Sequence, residues 1–115
     1  MFSFFNSFSQ SSSNMSGQDF IEARKSTPGI LIDVRTAGEY NQGHLKGTDF
    51  NLDIYTGAFQ NKIASFDKNE TYYLYCRTGN RSGQAARMMR EAGFENVYNV
   101  GGFSNLVRAG VEANR

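Results

Sequence analysis

Thr71-Tyr72-Tyr73-Leu74-Tyr75-Cys76-Arg77-Thr78-Gly79-Asn80-Arg81-Ser82 passes within one short stretch from a strand pattern to a helical one. Residues 71–75 are aromatic and β-prone, as a buried strand requires. From Ser82 to Ala92, the apolar residues Ala85, Met88, Met89 and Ala92 share one helical face, and Gly93 offers a residue to end the helix. Between strand and helix stands Cys76, the only cysteine in the chain. Ligands of open α/β sheets bind beyond the carboxyl ends of strands. Cys76 is expected at such an end.

Upstream, Ile30-Leu31-Ile32-Asp33-Val34 is a nearly continuous apolar run, which suits a central parallel strand buried on both faces. Asp33 interrupts it and needs a partner if buried. Ser16 and Asp19 fit a capping box for a short helix that stops before Pro28. Thr36–Gln42 reads as a second short helix ended by Gly43. A short strand is expected near Thr48–Asn51, and a helix over Ala58–Phe66. Downstream, Asn96–Val100 reads as a strand, and Gly101-Gly102 turns the chain into a last helix, Phe103–Arg108. Strands alternate with helices throughout, which predicts an α/β domain with a mainly parallel sheet.

A chain of 115 residues with net charge +1 and interspersed acidic and basic residues has room for one domain. It carries no sign of a nucleic-acid surface. One cysteine excludes an internal disulfide and a multi-cysteine metal cluster, and a reducing, cytoplasmic setting is expected. No stretch is long and apolar enough to span a membrane. Residues 1–15, rich in Ser, Asn and Phe, are a poor signal peptide. They are expected to form a loosely packed arm whose Phe2, Phe4, Phe5 and Phe8 pack on the domain of residues 16–115.

The loop itself has a chemical reading. Backbone N–H groups from Arg77 to Ser82 can curl around the sulfur as an anion-binding nest, at the positive end of the following helix. Gly79 permits a left-handed turn, and Asn80 tolerates one. Arg77 and Arg81 add full charges. These influences together pull a thiol below its free pKa of about 8.5 and make it a nucleophile. Against this, a lone cysteine is often a small buried hydrophobe. The combination of strand, cysteine, arginine and helix start favours the nucleophile.

At these residues the chain resembles the rhodanese-like sulfurtransferases. Cys76–Ser82 looks like their active-site loop, and Leu31-Ile32-Asp33-Val34-Arg35 is similar to their first-strand signature. Glu39-Tyr40 with Gly43-His44-Leu45-Lys46-Gly47 resembles a further segment. Ala92–Tyr98 and Gly101-Gly102-Phe103 resemble the carboxyl-terminal signature. The resemblance covers about residues 16–110. It implies a three-layer domain with a mostly parallel five-stranded sheet and helices on both faces.

It also implies a ping-pong reaction. Cys76 would take the outer sulfur of a donor such as thiosulfate, and the persulfide would pass it to cyanide or to a small-molecule or protein thiol. No metal or organic cofactor is implied. No membrane or nucleic-acid partner is expected, and the protein is expected as a monomer or weak dimer. From Cys76 to Arg81 the loop counts six residues. Phosphatase and arsenate-reductase relatives carry one more, so the shorter loop suits sulfur.

The amides of Arg77, Thr78, Gly79, Asn80, Arg81 and Ser82 are the expected cradle. Arg77 is expected to meet the donor, and Arg81 to brace the loop through carbonyls or a carboxylate. Asp33 and Arg35 could line or support the pocket, and a buried ion pair or loop brace is the favoured reading, with Asp33–Arg81 and Arg35–Glu39 as plausible partners. His44 is expected to be structural. The family's frequent tryptophan is replaced by Leu106, which bears on substrate preference. A persulfide carrier and a non-catalytic interaction domain are the competing readings.

Overall fold

The computed structural model describes residues 13–115. The four phenylalanines of the expected arm lie outside the described residues. In chain order the elements are α1 (Gly17–Ser26), β1 (Ile30–Asp33), α2 (Ala37–Gln42), β2 (His44–Leu45), β3 (Phe50–Asn51) and α3 (Ala58–Ile63). There follow β4 (Thr71–Cys76), α4 (Asn80–Glu91), β5 (Asn96–Gly102), α5 (Phe103–Ala109) and β6 (Ala113–Asn114).

Local chemistry sets several of these boundaries. Ser16 caps α1 by accepting the Asp19 N–H at 3.1 Å. Thr36 and Glu39 close a reciprocal capping box on α2. At the end of α4, Gly93 takes φ +102°, in the left-handed region that glycine enters at little cost.

The main sheet has the order β3-β1-β4-β5, and its pairs are parallel. The class is α/β, as the alternation of patterns predicts. The strand count differs from the five expected. Beside β5, a single parallel bridge from Asn14 to Asn99 occupies the fifth place. β2 pairs antiparallel with β6 in a separate small sheet. Each of those strands is two residues long, too short for a readable period.

Side chains of β4 alternate between two cores. Tyr72, Leu74 and Cys76 point with Ile32 and Val97 toward Phe59 and Ile63 of α3 and Ala85, Ala86 and Met89 of α4. Tyr73 and Tyr75 point the other way, with Leu31 and Val100, toward Phe20 of α1 and Leu106 of α5. The result is three layers with β4 at the centre. The tyrosines are buried, and each hydroxyl has a partner, as burial demands. Tyr72 donates to the Asp67 carbonyl at 2.6 Å and Tyr73 to the Thr27 carbonyl at 2.8 Å. The Tyr75 hydroxyl accepts the Leu45 N–H at 3.0 Å and lies 2.9 Å from Thr48 Oγ1.

Candidate active site around Cys76

β4 ends at Cys76, whose register partner on β5 is Gly102. There the two chains approach closely. A Cβ built on Gly102 would lie 2.5 Å from the Arg77 carbonyl oxygen, so only glycine leaves room for the loop. The loop then turns at Gly79, φ +104°, which is the N-cap of α4. The helix therefore starts at Asn80, two residues ahead of the expected Ser82. Gly83 N–H already bonds the Gly79 carbonyl at 3.0 Å. Asn80 is helical, and positive φ among the described residues belongs to glycines alone.

The short loop folds donors onto the sulfur. Gly79 N–H lies 3.0 Å from Cys76 Sγ, Ser82 N–H at 3.4 Å and Ser82 Oγ at 3.3 Å. Burial pushes the thiol up. The Ser82 hydroxyl and the amides of Ser82, Gly79 and Thr78 pull it down by bonding the thiolate, and the net shift is downward. The cradle is narrower than the expected six amides, because the Asn80 N–H turns to Thr78 Oγ1 at 3.4 Å. The Ser82 hydroxyl is a donor that a reading of backbone amides alone overlooks.

Arg81 does not direct its charge to the sulfur alone. It forms a bidentate pair with Glu39, at 2.8 and 3.0 Å. That pair holds the Glu39 carboxyl down at about 2, burial opposing the shift and the Thr36 backbone bond adding to it. Tyr55, 72% exposed, covers the guanidinium with its ring 5.6 Å away. Arg77 and Thr78 are exposed. The brace on α4 is thus the capping residue of α2.

Asp33 and Arg35 form a buried ion pair, as expected, but not with the partners expected. They bond one another: Arg35 Nε reaches both carboxylate oxygens at 3.0 Å, and Nη2 reaches Oδ2 at 2.7 Å. Nη2 also donates to the Gly43 carbonyl at 2.7 Å, and the guanidinium lies 5.6 Å from the Tyr75 ring and 4.9 Å from the Phe103 ring. The physical reason is sheet alternation. Asp33 shares the face of Leu31 and Tyr75, opposite to the face of Cys76. The Asp33–Arg81 and Arg35–Glu39 pairs are replaced by Asp33–Arg35 and Glu39–Arg81. His44 stacks on Tyr40 with centroids 3.8 Å apart, and its Nδ1 lies 3.1 Å from the Tyr40 carbonyl oxygen.

Asn99 on β5 was not singled out by the sequence, although it is a polar residue within the strand run Val97-Tyr98-Asn99-Val100. It is buried, and its Oδ1 accepts the Ser82 hydroxyl at 2.7 Å. Cys76 itself is 0% exposed. Two clefts, of about 710 and 310 Å³, flank the loop. Gly79, Asn80 and Asn99 line the larger and Thr78, Gly101 and Gly102 the smaller, and neither is lined by Cys76.

The arrangement is a buried sulfur that is held ionisable by neutral donors at a helix start. Such a group can attack a small electrophile and carry the atom it gains. The model of the rhodanese-like domain matches residues 16–109. The chain is 36% identical over 77 residues to the thiosulfate sulfurtransferase PspE of Escherichia coli, covering 65% of this chain and 71% of that one. It is 34% identical over 70 residues to the putative sulfur carrier protein YrkF of Bacillus subtilis, covering 61% of this chain and 36% of that one. Among solved structures, a rhodanese with anions from Escherichia coli superposes with a TM-score of 0.64 at 32% identity, covering 75% of this chain and 96% of that one.

Proposed function

The chain belongs to the rhodanese-like domain family, and on that premise we propose that it is a thiosulfate sulfurtransferase working through a Cys76 persulfide. The observation that carries the reading is the donor set on Cys76 Sγ, with Gly79 N–H at 3.0 Å and the Ser82 amide and hydroxyl close by. In the first half-reaction the thiolate attacks the outer sulfur of thiosulfate. The S–S bond to the sulfonate breaks, and sulfite leaves with that bond's electron pair. The cradle then holds the terminal sulfur anion of the persulfide. In the second half-reaction cyanide or a thiolate attacks that terminal sulfur, and the Cys76 thiolate is regenerated. Exposed Arg77 at the loop is suited to meet the dianionic donor. No proton has to be removed during attack, so no general base is needed. A lone thiol of this kind suits a reducing, cytoplasmic setting.

The relative named as a putative sulfur carrier favours a second reading, a module that accepts sulfane sulfur from a protein partner. Thiocyanate formation from thiosulfate and cyanide separates the two. The sulfurtransferase turns over, whereas the carrier gains only about 32 Da, one sulfur, on mixing with a persulfide donor. Cys76→Ser is expected to abolish turnover and leave the circular dichroism spectrum unchanged. Turnover near wild type in that variant would exclude Cys76 as the nucleophile.

A further inference from the structure

Asn99 has a position that neither its strand nor the family match explains. The register of β5 against β4 shifts immediately after the Leu74–Asn99 pair, so that Tyr75 meets Gly101 and Val100 is extra. Bulges of this kind re-aim side chains next to sites. Here Asn99 keeps the face of Val97, toward α4, and its amide enters the back of the Cys76 loop. Oδ1 accepts the Ser82 hydroxyl at 2.7 Å and the Gly101 N–H at 3.1 Å. Nδ2 donates to the Gly79 carbonyl at 3.1 Å and to Asn14 Oδ1 at 3.1 Å. Gly101 N–H can only donate and the Gly79 carbonyl can only accept, so the neighbours fix which way the amide faces. Both hydrogens of Nδ2 and two acceptor sites of Oδ1 are thereby used.

The same residue carries the segment before the matched domain. Asn99 N–H donates to the Ser13 carbonyl at 2.7 Å, and its carbonyl accepts the Met15 N–H at 2.8 Å. Residues 13–15 therefore dock on the open edge of β5 at this position, and Asn14 adds the side-chain contact. The family match starts only at residue 16.

We propose that Asn99 is a positioning residue for the Cys76 thiolate, and that the segment preceding the matched domain takes part in this through Asn14. The inference rests on the reading of Cys76 as the reactive thiol. Asn99 grips the cradle at two points. Through the Gly79 carbonyl it fixes the peptide following the residue whose N–H is nearest to the sulfur. Through the Ser82 hydroxyl it fixes Oγ at 3.3 Å from the sulfur. The one hydroxyl proton of Ser82 is shared between Oδ1 at 2.7 Å and the sulfur at 3.3 Å, and the Oδ1 contact holds Oγ facing the sulfur. Without Asn99, Ser82 Oγ and the turn at Gly79 both lose their anchor, and each loss disfavours the thiolate. The charged groups at this end of the sheet are Arg77 on the loop, Arg81 with Glu39, the Asp33–Arg35 pair on the opposite face, and Arg87, Arg90 and Glu91 of α4, which line the larger cleft together with Asn14 and Asn99.

The test uses the full chain and the rate of iodoacetamide alkylation against pH, which reports the only cysteine whether or not the protein turns over. Asn99→Ala is expected to move the midpoint upward, with alkylation at pH 7 slowed about three- to tenfold and the high-pH plateau retained. Asn14→Ala is expected to shift it in the same direction, by about twofold in rate. A purely architectural role for Asn99 would change the melting temperature and leave the midpoint in place. A folded Asn99→Ala protein with the wild-type profile overturns the proposal. A wild-type profile in Asn14→Ala overturns the part given to the preceding segment, and overturns the whole if Asn99→Ala does not fold. Failure of the functional reading shows itself elsewhere, as turnover surviving in Cys76→Ser.

Discussion

Glu39 belongs to two structures at once. Its Oε1 accepts the Thr36 N–H at 3.0 Å to complete the cap of α2, and the same carboxylate grips Arg81 two residues inside α4. Held at about 2 in the folded chain against an ordinary 4.5, the carboxyl binds its proton less readily than it does unfolded. Its contribution to stability is therefore complete above the ordinary value and is lost as pH falls from about 4.5 toward 2. Urea unfolding of Glu39→Gln at neutral pH is expected to show a loss of roughly 1–3 kcal/mol, moderated by the pair's partial exposure. The variant should then lose less on acidification than the wild type. Equal acid losses in the two proteins would show that this pair does not set the acid limit. The residue scale is also where sequence reading failed most. Asp33, Arg35, Glu39 and Arg81 were all visible as charges in need of partners. Which charge meets which is decided by the face of the sheet each one takes, and a charge in isolation carries no mark of its face. Thr36-x-x-Glu39 did carry a local signal, the spacing of a capping box.

At the scale of elements, the loop and the end of β5 fit each other backbone to backbone. Gly102 has an ordinary φ of −98°, so its glycine is required by space and not by conformation. A methyl group there must displace the Arg77 carbonyl from 2.5 Å, and the obstacle is main chain rather than a flexible side chain. Gly102→Ala is accordingly expected to lower the melting temperature and to reduce sulfur transfer at least tenfold, because the moved loop carries the cradle. A variant with wild-type activity would mean that the loop tolerates displacement. The Gly101-Gly102 pair, expected as a turn after a strand ending at Val100, instead forms the end of β5, with α5 starting directly after it; β4, α4 and the rest of β5 were legible from their patterns. The close approach behind the pair was not, since it joins positions far apart in the chain. Asn99 escaped for the same reason. A polar residue in an apolar strand announces a buried partner, yet the partners lie on a loop, a helix start and the segment ahead of the domain.

Across the whole molecule, the three layers leave Cys76 at the carboxyl end of the central strand, roofed by its own loop. The alternating pattern of elements made this position foreseeable, and the class of fold with it. The depth of cover was not foreseeable, because it depends on how tightly the loop packs against β5. At 0% exposure the sulfur meets no solvent in this structure, so a reagent is expected to reach it only when the roof lifts. Capture then becomes a two-step process of opening and strike. With rising iodoacetamide the observed rate should climb and then flatten, the plateau equal to the opening frequency and independent of which alkylating agent is used. A strictly linear rise to the highest usable concentration would mean that no opening step limits access. With such a door in place, selectivity among small sulfur donors would arise partly from waiting time, and a crowded mixture of oxidants would reach the thiolate no faster than the loop lifts.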